Sequence, residues 1–166
     1  METLVNSPDT TDHFTDAPPR RIGSQGLIRS EKGDILLFEL RRRVDRGDLL
    51  TWNLPGGCAQ GNEDPQAACK RRIQEKSGLL IEPGRLLLMH WQPAKGNTLE
   101  GHNYVWDGGT ISQHTEVRLA ADITQYRFVP RKHLTGYAPE SLVERINAAF
   151  RALGHAHNGY LAGRAG

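Results

Sequence analysis

The residues best equipped for chemistry are Arg71, Arg72, Glu75 and Lys76, three cations and one carboxylate inside six consecutive positions. Residues three and four apart share a helical face, so a helix here would present all four heads to one side. Arginine's planar fork matches phosphate oxygens and lysine adds a compact positive charge, which makes this face a candidate for holding a diphosphate. The same spacing allows a plainer outcome, in which Glu75 pairs with Arg72 and Arg71 on a solvated surface, each pair worth roughly 0.3–0.5 kcal/mol. The elements that position these residues are legible. Asp64 stands immediately before Pro65, an N-cap followed by proline in the first helical position. Ala67, Ala68, Cys69 and Ile73 give a small apolar surface, and Gly78 supplies a stop, which predicts a helix over Pro65–Ser77. Upstream, the apolar run Leu49–Leu54 closes at Pro55-Gly56-Gly57, so a strand and a glycine turn lead into that helix.

A strand, glycine loop and helix of this kind resemble the signature of the Nudix hydrolases: G, five residues, E, seven residues, R-E-U, one residue, E-E, one residue, G-U, with U aliphatic. Gly57 starts the register, followed by Glu63, Arg71, Ile73, Gly78 and Leu79, and Leu54-Pro55-Gly56-Gly57 matches the usual lead-in. The resemblance implies an α/β fold, a Nudix-like α/β/α sandwich with a mixed β-sheet between helices. It implies Mg2+ or Mn2+ as cofactor if the protein is hydrolytic, and a phosphorylated small molecule as ligand. It also implies roles. Glu75, Glu63 and Asp122 are its catalytic candidates, whereas Arg71, Arg72 and Lys76, with Gly57 in the loop, are phosphate-side candidates by the chemistry of their own side chains.

Three positions depart from the family pattern. Where the family carries metal-binding glutamates, this chain has Arg72, Glu75 and Lys76, so Glu75 alone remains to hold a metal. Hard cations require anionic or carbonyl oxygens, which neither a guanidinium nor an ammonium supplies. One pair of unit charges about 5 Å apart, at an effective dielectric near 20, is worth roughly 3 kcal/mol before screening. A millimolar metal site has only about 4 kcal/mol of binding free energy, so a fraction of that repulsion abolishes it. The expectation is that the ordinary magnesium cluster does not assemble, leaving a weak or absent site at Glu75.

Nudix enzymes commonly draw a further carboxylate from beyond the box, where Glu116 and Asp122 are the candidates. In LAADITQYRFVP (119–130), Asp122 takes the acidic position before an aliphatic and a strand, although an N-cap role fits it as well. Cys58 invites comparison with type one isopentenyl-diphosphate isomerases, which share the scaffold and use a loop cysteine. Their metal-binding histidines are not recognisable here. Three functions therefore stand: a Nudix-superfamily enzyme acting on a diphosphate-containing small molecule with metal-dependent hydrolysis weakened or replaced, a ligand-binding regulatory module, or a repurposed isomerase or cyclisation catalyst.

At 166 residues the chain suits one domain with a core of its own. Cys58 and Cys69 lack the spacing of a zinc site or a disulfide framework and read as reduced thiols. No signal segment and no run of eighteen apolar residues is found, so a cytoplasmic protein without a membrane span is expected. The formal charge of +2 arises from an acidic leader (Glu2, Asp9, Asp12, Asp16) and a more basic body, which suits small anions. No basic patch with interleaved aromatics suggests nucleic acid, and a homodimer is left open.

In chain order, residues 1–19 read as a disordered or strap-like leader, 20–154 as the domain and 155–166 as a flexible tail. Arg21 to Arg42 predicts two strands joined by a turn at Glu31–Asp34, with Leu36, Leu37, Phe38 and Leu40 in the core. Arg41 to Asp48 reads as a charged loop. Leu86 to Met89 predicts a buried strand with His90 and Trp91 at its end, and Tyr104 to Gly108 another, where His102 and Tyr104 are weak pocket candidates. Lys132–Thr135 reads as a helical turn and Pro139–Leu153 as an amphipathic helix, with Leu142, Val143, Ile146, Ala149, Phe150 and Leu153 on one face. His155 and His157 fit a loose tail better than a metal site.

Overall fold

The computed structural model describes Asp12 and residues 14–164; most of the expected leader therefore lies outside the described residues. Eight strands form a single mixed sheet: β1 (Arg21–Arg29), β2 (Ile35–Leu40), β3 (Trp52–Asn53), β4 (Gly56–Cys58), β5 (Leu86–Gln92), β6 (Gly101–Thr110), β7 (Ile123–Val129) and β8 (Gly159–Ala162). Three α-helices accompany them, α1 (Arg41–Arg46), α2 (Pro65–Ser77) and α3 (Glu140–Leu153), with a 3-10 turn at Arg131–Gly136.

The strand path is β3-β2-β1-β6-β5-β8, with β7 on β2 and β4 on β1. β1 runs parallel to β6 and β5 parallel to β8, while the other pairings are antiparallel. The sheet forks. β1 touches β2 only at Arg29 and Ile35, then diverges, and the segment 52–58 enters the gap, β3 pairing with β2 and β4 with β1. Gly56 sits at that fork with φ +142°, and a Cβ there would lie 2.1 Å from the Ser24 carbonyl oxygen. Only glycine lets the chain pass so close to β1.

Strand alternation sends side chains to two cores. On one face Ile28, Leu36, Phe38 and Ile123 pack with Cys69 and Ile73 of α2. On the other Leu27, Leu37, Leu87 and Val105 pack with Leu142, Ile146 and Ala149 of α3. The expected α/β/α sandwich, a mixed sheet between helices, is what the chain forms.

Several local expectations are corrected. The charged stretch 41–48 is not a loop throughout: Arg41–Arg46 is helical, closed by Gly47 in the left-handed conformation with its N–H on the Arg43 and Val44 carbonyls. Arginine is a good helix former, and charge obscured that. The strand expected over Leu49–Leu54 contracts to Trp52–Asn53, with Leu49 almost fully exposed. The tail 155–166 is not wholly free. Gly159–Ala162 adds a strand to the free edge of β5, whose backbone N–H and C=O groups otherwise have no strand partner there. Asp122 caps no helix; it precedes β7. α2, by contrast, spans the predicted residues.

Candidate functional site

Local sequence fixes α2 firmly. The Asp64 carboxylate accepts from the Ala67 N–H at 3.0 Å, Pro65 opens the first turn, and Gly78 closes the helix in the left-handed region with its N–H on the Gln74 carbonyl. Ile73 and Cys69 are fully buried against the sheet, which turns Arg71, Arg72, Glu75 and Lys76 away from the core.

Arg71 is the hub of the exposed side. Its Nε and Nη2 donate to Glu63 at 2.5 and 2.7 Å, and its Nη1 donates to both oxygens of Glu75 at 3.0 Å. Glu63 also accepts from the Gln60 N–H at 2.7 Å, so its position in the glycine loop is fixed from two directions. Arg71 and that amide hold the Glu63 carboxyl well below the usual range, at about 2. The reciprocal effect raises the Arg71 guanidinium further above its ordinary value.

Arg72 lies across Gly57, where an added Cβ would meet its Cγ and Cδ at 3.0 Å. Its Nε donates to the Cys58 carbonyl at 3.1 Å and its Nη1 to Glu75 at 3.3 Å. Lys76, three-quarters or more covered, stands 3.5 Å from the Asp122 carboxylate. Burial lowers the lysine's proton affinity, and Asp122 partly restores it.

The structure therefore brings Glu63, Arg71, Glu75, Arg72 and Gly57 together, with Lys76 and Asp122 as an adjoining pair. The pairing of Glu75 with Arg71 and Arg72 is the plainer of the two outcomes that the spacing allowed. These residues do not fit a magnesium ion. Both Glu75 oxygens are engaged by guanidinium groups, and among the described residues no three His, Cys, Asp or Glu side chains converge as a metal would need. Cys58 contributes its carbonyl rather than its exposed thiol, and burial pushes the Cys69 thiol up to about 12. His155 and His157 stack on one another, with ring centroids 5.5 Å apart.

The NUDIX domain model matches residues 19–151. The chain belongs to the Nudix family. Among relatives, the CMP-5'-(N-acetyl-N-hydroxy-3-aminopropyl)phosphonate hydrolase of Streptomyces rubellomurinus is 33% identical over 100 residues, 60% of this chain and 46% of that protein. A MutT-like protein of Streptomyces ambofaciens is 29% identical over 82 residues, 49% of each chain. The chain thus spans about half the length of the relatives it matches. Among solved structures, a MutT protein from Methanosarcina mazei superposes with TM-score 0.69 at 22% identity, covering 84% of this chain and 99% of that one. An ADP-ribose pyrophosphatase from Streptococcus suis gives 0.64 at 15%, covering 87% and 100%. Both establish the Nudix fold. No helix among the described residues is long and apolar enough to cross a membrane.

One residue escaped the sequence reading. Arg145 lies three positions after Leu142 and four before Ala149, on the core-facing stripe of α3, and it is 5% exposed. A lone arginine at an apolar position of an amphipathic helix was the available signal.

Proposed function

We propose that this Nudix chain takes a diphosphate-containing, nucleotide-like or otherwise phosphorylated small molecule at the box face, with metal-dependent hydrolysis weakened. The carrying observation is that Glu63, Glu75 and Asp122 are each held by a cation of the chain itself, where a divalent ion would need free carboxylates. Arg72 keeps its Nη2 uncommitted among the described residues, and Lys76 has N–H groups beyond its single contact with Asp122. These donors, beside the glycine at position 57, suit phosphate oxygens directly. Asp122, met by Lys76 at one oxygen, keeps the other to orient a water, and Glu63 supports the site by fixing Arg71. The Streptomyces rubellomurinus relative, a hydrolase of a CMP-linked phosphonate by name, supports the ligand class. A purely ligand-binding module is the second reading, favoured by the same neutralised carboxylates.

The test is a screen of nucleoside diphosphate-linked compounds with magnesium, with manganese and with chelator, beside calorimetric metal titration. The expected results are saturable ligand binding and metal affinity weaker than millimolar, with both metal binding and turnover rising in Arg72→Glu/Lys76→Glu. Sub-millimolar magnesium binding in the parent that disappears in Glu75→Gln overturns the proposal. Binding without any product in every condition selects the second reading.

A further inference from the structure

The face of the sheet opposite α2 holds a second concentration of polar groups, at the end of the strands where β1 and β6 begin and β5 finishes. Gln25 projects toward α3, whereas its neighbours Ser24 and Gly26 face α2, Ser24 donating to the Pro65 carbonyl and Gly26 lying against Ile73. At the centre is the buried Arg145. Its Nε donates to His90 Nδ1 at 3.0 Å, its Nη1 to Gln25 Oε1 at 2.8 Å and its Nη2 to Gln92 Oε1 at 2.8 Å. Every partner is neutral. Arg21 adds a second cation, donating to Asn103 Oδ1 at 3.1 Å and to Gln92 at 3.4 Å, and no carboxylate joins the network among the described residues.

The network is also short of acceptors. Gln92 Oε1 serves three donors at once, from Arg145, from Asn103 at 2.9 Å and from Arg21, although an amide oxygen has only two lone pairs. Since a guanidinium can only donate, His90 Nδ1 must carry the lone pair, which puts the hydrogen of the neutral ring on Nε2. That buried nitrogen has no hydrogen-bond partner among the described residues. Arg145 retains two further N–H groups. A desolvated charge with neutral partners and surplus donors is costly unless something supplies acceptors and negative charge together. Water supplies the first and not the second.

We propose that the Arg145 cluster is an oxyanion-binding site that takes a carboxylate or phosphate group of a ligand, on the sheet face opposite the box helix. Arg21, Asn53 and Gln92 are half-buried and form its accessible rim, with Asn53 Oδ1 accepting from the Gln25 Nε2 amide at 3.0 Å. Burial, then Arg21 and Arg43, oppose the charge on Arg145, and an arriving anion offsets that cost by supplying the missing counter-charge. The site stands independently of what the box face does.

The test is thermal unfolding of the full chain at constant ionic strength, titrated with inorganic phosphate and, separately, with succinate. The expected result is a saturable rise in Tm on the order of 3 °C at tenfold the dissociation constant. A larger response to phosphate marks a phosphate-bearing ligand, and a larger response to succinate a carboxylate. Gln25→Glu places a built-in carboxylate against Arg145, so it raises Tm without any anion and shows no further response. Both titrations are also run in an Arg72→Gln/Lys76→Gln background, which removes the phosphate donors of the box face, and the rise assigned to the Arg145 cluster persists there until Gln25→Glu is added. An absent or non-saturating rise in the Arg72→Gln/Lys76→Gln background, or one there that Gln25→Glu leaves in place, overturns the proposal. Arg145→Gln abolishes the rise; should that variant fail to fold, Gln25→Glu decides alone.

Discussion

The two faces of the sheet handle arginine in opposite ways. On the α2 face three cations meet three carboxylates, and each head remains in contact with water. On the α3 face Arg145 is withdrawn from water among amides and an imidazole, with no counter-charge in its contacts. A paired, half-exposed charge costs little to keep and little to lose. A buried one held by neutral groups costs much in both directions, since its removal strands the partners it alone satisfied. The electrostatic tension in this molecule thus lies away from the box that its sequence advertises.

The comparison breaks most visibly in stability. Arg145→Ala leaves Gln25 Oε1 and His90 Nδ1 without their donor and opens a cavity, so it is expected to cost about 3–5 kcal/mol by urea unfolding. A loss below about 1 kcal/mol would mean that the α3 face tolerates disruption as the other does. Arg71→Ala releases Glu63 and Glu75 near solvent and is expected to cost about 1–2 kcal/mol, because water replaces part of what is lost.

Acid sharpens the contrast, because the faces fail in different pH windows. Burial, with Arg145 and Arg21 nearby, pushes His90 down to about 4 from its ordinary 6.5. Protonation is thus favoured by the unfolded chain, and this contribution, present above pH 6.5, is lost as pH falls through 4. Glu63, at about 2 against an ordinary 4.5, contributes stability present above 4.5 and lost as pH falls toward 2. A Tm profile from neutral to acid should show both losses. His90→Gln should remove the upper one and Arg71→Met the lower one; a single unresolved transition unaffected by either variant would contradict the assignment. The smallest effect belongs to Lys70 and Glu82, an exposed pair at 2.5 Å. Glu82→Gln should change stability by under about 0.5 kcal/mol and serves as the surface reference.

Much of the box could be read before any fold was known. The Asp64-Pro65 start and the Gly78 stop act within a few residues of themselves, and the spacing of Arg71, Arg72 and Glu75 sets their neighbours on any helix. The helix at 41–46 was hidden behind its charge, and β8 behind the glycines and alanines that surround Tyr160 and Leu161 in a short terminal segment paired to the edge of β5. Asp122 illustrates the limit well. Its residue type suggested a cap or a base, while its contact with Lys76 arises from chain segments 46 positions apart.

The sequence by itself determined the family, the capped α2 helix and the cations that Arg72 and Lys76 place on its exposed face, because these rest on residue identity and short-range spacing. Only the tertiary structure decided which charges meet. Arg145 finds Gln25 from 120 positions away, and pairing across such a distance depends on how the strands are ordered and on which face each side chain emerges. No local pattern encodes that order; the burial of both apolar faces of the sheet at once does.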